Sequence, residues 1–331
     1  MGASVNSSSF KGYDAVELKS GSYTAVIVPA WGSNCVRFFD TERDIEVFRY
    51  SEAATAEDIM GSPEIWGLPT LYLPNRFDGG VLRTSDAVYH LPVNETAFGN
   101  HIHGFVHKRA HRVTRCEAKG DTAYLGTTFE FDEKDEFFEF LPLDFVLNID
   151  YELSPAGLSH RVTLTNRSGK RLPVSFATHT TVNAPFVKGA RQEDVRLRVP
   201  AKEYISFDKT RWLPDGTVRE LSDYDREYLT GKCPVLTDIC NDMYTGGELD
   251  GFRGVIVSDT ASGRQILNEV DGHYKFWIIW NHEGFMGYFC PEPMTAQVNA
   301  PNMDVPADVS GYEELSPGES YTAVQRFFTR G

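Results

Sequence analysis

Long apolar runs are missing from this sequence. No stretch of the 331 residues approaches the ~20 apolar residues of a bilayer-spanning helix, so no membrane partner is expected. Positive charge is also short: 32 Lys and Arg stand against 47 Asp and Glu, a formal net charge of −15. So acidic a surface repels phosphate backbones and anionic lipid. That sets aside general nucleic-acid binding and leaves neutral or weakly charged small molecules as ligands. Cysteine is sparse as well, with five residues (35, 116, 233, 240 and 290) and no Cys-x-x-Cys pair. That usage reads as scattered reduced thiols. The opening Met-Gly-Ala-Ser-Val-Asn-Ser-Ser-Ser has neither a basic n-region nor a hydrophobic h-region. No secretory leader is therefore expected, and a cytoplasmic location is.

Helical patterns are scarce. Segments 52–60 and 221–229 each support one or two turns, which is too little for a βαβ crossover. The dominant period is two. Leu143, Phe145, Leu147, Ile149, Tyr151 and Leu153 fall on one face, while Asp144, Asn148, Asp150 and Glu152 fall on the other. Leu158, His160, Val162 and Leu164 repeat the pattern after Ser154-Pro155-Ala156-Gly157, so the two runs predict an antiparallel hairpin. Residues 122–131 alternate similarly, 255–258 and 274–280 suit central strands, and 321–329 suits a last one. With 28 Gly and 17 Pro spread along the whole length, the pattern predicts an all-β protein, a large antiparallel β-sandwich. Residues 1–331 show no linker or repeat, so one domain is expected. The first nine residues, rich in Ser and Asn, are expected to be a frayed terminus or an edge strand.

Four of the nine histidines crowd into eleven residues: His101, His103, His107 and His111. On a strand, His101 and His103 would share a face as two metal ligands do, with His107 as a third. The first carboxylate after His103 is Glu117, however, and no metal is expected. His179 closes an apolar run, Pro173-Val-Ser-Phe-Ala-Thr-His179, as at a strand end opening into a cleft. A histidine there suits proton donation near neutrality. Glu292 sits between Pro291 and Pro293 at the end of another apolar run, held rigidly and stripped of water. Its pKa should rise, which suits a general base or acid. Asn75-Arg76 follows the apolar Leu71-Tyr72-Leu73-Pro74, where a guanidinium can bind hydroxyl groups. Each signal also has a structural explanation: a core histidine, a turn glutamate, a surface arginine.

Taken in order, Asn75-Arg76, Asn100-x-x-His103-Gly104, His179-x-x-x-Asn183 and Glu292-Pro293-x-Thr295 resemble the aldose 1-epimerase (galactose mutarotase) superfamily. The resemblance runs from about Asn75 to Asn302 and is strongest in 162–179 and 291–293. It implies interconversion of α and β anomers through ring opening, with Glu292 as base on the anomeric hydroxyl and His179 as acid on the ring oxygen. It further implies sugar contacts from His103, Arg76 and Asn75, and from Asp242, with Asp238 as the fallback. No cofactor is implied. The partner would be an aldose, free or phosphorylated; Arg83, Lys108 and Arg109 are the cations available for a phosphate. The family's His-Ser-Tyr-Phe-Asn is here His179-Thr-Thr-Val-Asn183, and its His-Gly-Gly is His103-Gly-Phe. Those departures motivate an alternative, a non-catalytic sugar-binding or sugar-sensing module on the same fold. Trp277 and Trp280 read as core, whereas Trp66, in a Pro/Gly-rich loop, is placed to stack on a sugar face.

Overall fold

The computed structural model describes residues 2–235, 240–284 and 286–331. It is built mainly of antiparallel strands. A nine-stranded sheet runs in the order Arg112–Lys119, Thr122–Phe131, Phe145–Ser154, Gly157–Asn166, Ser320–Arg330, Gln265–Val270, Gly254–Asp259, Val195–Arg198, Cys233–Pro234. A second sheet runs Leu213–Glu220, Ala201–Asp208, Asn241–Gly246, Phe276–Trp280, Tyr288–Met294, Phe176–Thr178, Thr70–Tyr72, with Val182–Asn183 pairing Tyr288–Met294 off that path. A five-stranded sheet holds the first 46 residues' strands, Ser4–Phe10 to Ile45–Glu46.

The alternation expected at 143–164 is what the sheet uses. Leu147, Ile149, Tyr151 and Leu153 are buried while Asp150 and Glu152 are exposed, and Ser154 pairs with Gly157 to close the hairpin. Residues 255–258 lie inside Gly254–Asp259, flanked by strands on both sides, and the last strand is Ser320–Arg330. The two helical segments are Ala56–Gly61 and Asp223–Thr230. Each is opened by a capping box, Thr55 with Asp58 and Ser222 with Asp225. The largest apolar cluster runs from Leu18 to Phe327 across the sheets.

The chain's start is a strand rather than a frayed end. Every residue of Ser4–Phe10 is paired with Tyr13–Lys19, and Phe10 meets the Trp31 ring edge-on at 5.8 Å. An edge strand needs backbone bonds on one side and little apolar surface, so Ser and Asn suffice there.

Two polar networks carry the fold to the site. Buried His160 accepts from Gln325 Nε2 at 3.1 Å and faces Thr70 Oγ1 at 3.3 Å, and Gln325 also donates to Thr178 Oγ1 at 2.9 Å. These bonds tie the nine-stranded sheet to the strands Thr70–Tyr72 and Phe176–Thr178, the second of which ends one residue before His179. Fully buried Asn166 holds the turn leading into the same region. It donates to the Lys170 and Leu315 carbonyls at 2.8 and 2.9 Å and accepts from Ser168 N at 2.9 Å. Replacing Asn166 by Ala leaves these buried groups without partners and is expected to cost about 2–4 kcal/mol. Equilibrium urea unfolding checks this, and an unchanged midpoint would show that the turn does not depend on the amide.

Candidate active site

Glu292 lies in the strand Tyr288–Met294, directly opposite Ile278 of Phe276–Trp280. On its other edge this strand pairs with Val182–Asn183 through Phe289 and with Phe176–Thr178 through Met294, and among the described residues the stretch between has no partner strand. Pro291 and Pro293, two residues apart, present their donor-less nitrogens to one edge. Such a strand is tolerated where a neighbour is missing. His179 leaves the end of Phe176–Thr178, held by its N–H to the Pro69 carbonyl at 3.0 Å, and crosses this interval. Its Nε2 lies 3.3 Å from Glu292 Oε1, with both side chains buried.

The pair lies at a cavity of about 250 Å³, below the ~300–1,000 Å³ of drug-sized pockets and so on the scale of one small ring. Asn75, Arg76 and His103 line it too, so five of the six expected site residues surround one space. The Asn75 carbonyl accepts from His103 N–H at 2.9 Å, and the His103 ring stands edge-on to His179 with centroids 5.4 Å apart. Arg76 is fixed by a bidentate pair with Glu95 at 2.7–3.0 Å, while among the described residues its Nη1 reaches Asn75 Oδ1 alone, at 3.5 Å. Asn75, His103 and His282, all on the cavity wall, have left-handed backbones (φ +52°, +68° and +53°). Non-glycine residues in that region cluster at functional sites.

The sixth residue, Asp242, is not brought to the cavity. In Asn241–Gly246 the pairs Asn241↔Trp280 and Met243↔Ile278 share the face of Glu292, so Asp242, opposite Ile279, turns the other way. Its carboxylate accepts from Tyr204 Oη at 3.2 Å and from Cys240 Sγ at 3.0 Å. The neighbouring Asn241 lines the cavity in its stead. Asp238 lies outside the described residues. The same parity corrects the tryptophans. Trp277 is core, but Trp280 is a cavity wall, 5.7 Å from the His179 ring and 5.1 Å from His282. Trp66 is buried under the Arg49 guanidinium at 3.7 Å and does not line the cavity. Glu64, on the short turn Pro63–Ile65, is a further wall residue, for which the sequence carries no motif.

The histidine cluster disperses. His101 donates Nδ1–H to the Pro92 carbonyl at 2.7 Å, His111 stacks on Phe129, and His107 is buried 3.9 Å from Glu64. The left-handed turn at His103 sends that side chain to His179 instead of leaving it beside His101. Arg83, Lys108 and Arg109 do not line the cavity, and Arg109 is paired with Asp135 at 2.7 Å.

Burial sets the electrostatics. It lowers the His179 pKa to about 4 and raises that of Glu292 well above the usual carboxylate range, with only the Arg76 charge opposing. Burial thus favours the neutral imidazole and the neutral carboxyl in this pair. Moving one proton from Glu292 to His179 would give carboxylate beside imidazolium without any exchange with solvent, an internal tautomer of the neutral pair.

The same burial gives the fold an acid limit. His101, His103, His107, His111, His160 and His179 all have pKa values lowered by burial, to about 4 in His111 and about 3 in His160. Each contributes stability that is present above the unfolded value of about 6.5 and is lost as pH falls toward the folded one. Glu46, raised to about 7 by burial, Glu292 and Asp150 act with the opposite sign, but they are three against six. The urea midpoint is expected to be lower at pH 5 than at pH 7. A midpoint that stays level or rises would show that these histidines are not held neutral.

The aldose 1-epimerase family profile matches residues 14–327. The chain is similar to a galactose mutarotase-like protein from Clostridium acetobutylicum, with 28% identity, 99% of each chain covered and a TM-score of 0.96. It shares its fold with galactose 1-epimerase from Lactobacillus acidophilus NCFM (15% identity, 99% of this chain and 98% of that one, TM-score 0.74). An aldose epimerase homologue from C. elegans has the same fold (16% identity, 94% and 99% covered, TM-score 0.72).

Proposed function

The chain belongs to the aldose 1-epimerase family, and from that premise we propose that it interconverts the α and β anomers of a neutral aldose by general acid/base catalysis. The observation that carries this reading is the buried contact of His179 Nε2 with Glu292 Oε1 at the cavity. As carboxylate, Glu292 removes the proton from O1 while His179, as imidazolium, protonates the ring oxygen. The C1–O5 bond opens to the aldehyde, the C1–C2 bond rotates, and the ring recloses on either face as the two protons return. Such a reaction needs one base and one acid within reach of adjacent oxygens, with proton affinities matched closely enough to exchange roles. Canonical glycoside hydrolysis would instead want two carboxylates flanking the bond; here a histidine stands where the second would be.

His103 is placed to hydrogen-bond the sugar near the ring oxygen. Arg76, anchored by Glu95, offers its remaining donor to a hydroxyl, and Asn75 and Asn241 offer amides. Trp280 gives an apolar face for the ring. The binding-only alternative rested on the altered segment after His179. Thr180 and Thr181 are fully buried, and Thr181 donates to the His179 carbonyl at 3.2 Å; neither lines the cavity. Those departures support the backbone that holds the acid and leave the proton-transfer pair itself intact.

The cavity also favours a neutral sugar over a phosphate ester. Among the described lining residues Arg76 is the sole Lys or Arg, its charge is matched by Glu95, and Glu64 adds a negative charge. Equilibrium NMR exchange between anomers tests this. Glucose and galactose are expected to exchange at least tenfold faster per enzyme than their 6-phosphates. Faster exchange of the 6-phosphates would overturn the charge argument.

A further inference from the structure

Beside the acid/base pair lies a third donor that the reaction does not use. Cys290 stands two residues before Glu292 in one strand and so shares its face. One ligand atom each from His179, Cys290 and Glu292 lies within 4.8 Å of the other two, and all three residues are buried. They meet because, among the described residues, the strand Tyr288–Met294 has no partner strand where His179 crosses. We propose that His179, Cys290 and Glu292 form a binding site for a thiophilic divalent cation of the zinc class, and that its occupancy turns the acid/base pair off; the inhibitory half rests on the function proposed above.

The donor set selects the ion. Nitrogen, sulfur and carboxylate oxygen are the ligands of zinc and its soft neighbours, whereas Mg²⁺ and Ca²⁺ want six or more oxygens and would find one carboxylate here. The charge count suits a dry pocket. The thiol and the carboxyl each lose a proton to solvent, and a dication with thiolate, carboxylate and neutral imidazole has no net charge to desolvate. A tetrahedral zinc places its ligands about 3.3–3.8 Å apart, so closure needs shifts of about 1 Å. The fourth position opens to the cavity, where a water or a sugar hydroxyl fits. His179 Nε2 and a Glu292 oxygen, the atoms that would move the protons, become metal ligands. Metal binding and catalysis then exclude one another.

The test is calorimetric titration of the full-length protein with ZnCl₂ and, separately, MgCl₂, comparing wild type with Cys290→Ser and Cys290→Ala. Circular dichroism confirms that each variant is folded, and having two variants guards against one failing to fold. The expected result is one Zn²⁺ per chain in the wild type, no Mg²⁺ binding, and at least tenfold weaker zinc binding in both variants. Zinc should inhibit anomer exchange, reversibly with EDTA, at least tenfold less potently in the variants, each scaled to its own metal-free rate. Equal zinc affinity in wild type and variants, or no binding to the wild type, overturns the site. Calorimetry does not depend on turnover. Zinc binding without sugar turnover would sink the enzymatic reading while keeping the site, and turnover without zinc binding would do the reverse.

Discussion

Glu292→Gln is expected to slow catalysed anomer exchange by about 10²–10⁴-fold, the range for loss of a general base. Glutamine keeps the volume of the side chain and can still hydrogen-bond His179 Nε2, 3.3 Å away in the wild type. It cannot take a proton from O1, and it cannot hand one to His179 to form the imidazolium that the second half of the reaction needs. One substitution therefore removes both members of the reactive tautomer. The loss should fall on kcat more than on KM, because Asn75, Arg76, His103 and Asn241 still line the cavity. The fold should persist, since a buried ionisable group is being replaced by a neutral amide of the same shape. An exchange rate within a few-fold of wild type would take Glu292 out of the mechanism.

The second large effect is on structure. Gly104→Ala is expected to destabilise the protein by about 3 kcal/mol or more and to displace His103. Gly104 has φ +61°, where an L-residue costs about 1–2 kcal/mol. A Cβ there would stand 2.2 Å from the Tyr72 carbonyl oxygen and 2.4 Å from Leu73 N, both of them backbone. Nothing at that contact can rotate away, so the chain carrying His103 must move off the strand that leads to Asn75 and Arg76. The expected result is a lower thermal midpoint together with loss of sugar binding in whatever protein remains folded. Wild-type stability would show that the close approach is not needed. The Gly-to-Phe departure at position 105 has no such cost, because Phe105 stacks on Phe137 at 4.2 Å in the core.

What could be read from the residues, and what could not, divides along a physical line. A period of two reveals which residues of one strand share a face, and that was enough for the hairpin at 145–166 and for the sandwich. It does not reveal which face looks into a cavity, because cross-strand register decides that. Asp242 and Trp280 were misplaced for this reason, and Asn241 went unnoticed. His179 and Glu292 were legible from their settings, one closing an apolar run and the other confined by prolines. Nothing in their local patterns joins two residues 113 positions apart; only the family resemblance put them on one sugar, and the 3.3 Å contact is a result of the fold. The histidine cluster shows the same limit. Proximity along the chain left a shared face for His101 and His103 open, and the left-handed turn at His103 separates the two. Glu64 enters the cavity wall from a three-residue turn with no pattern at all.

In the proposed reaction the His179–Glu292 pair shuttles protons on a bound sugar. The most direct measurement is saturation-transfer NMR between α and β anomers at equilibrium, over a panel of neutral aldoses, with wild type and Glu292→Gln at equal concentration. Enzyme-dependent exchange is expected for at least one aldose, lost in the variant while that sugar still broadens on binding. Saturable broadening in both proteins with exchange at the uncatalysed rate would contradict it, and would make the cavity a place where sugars bind without reacting.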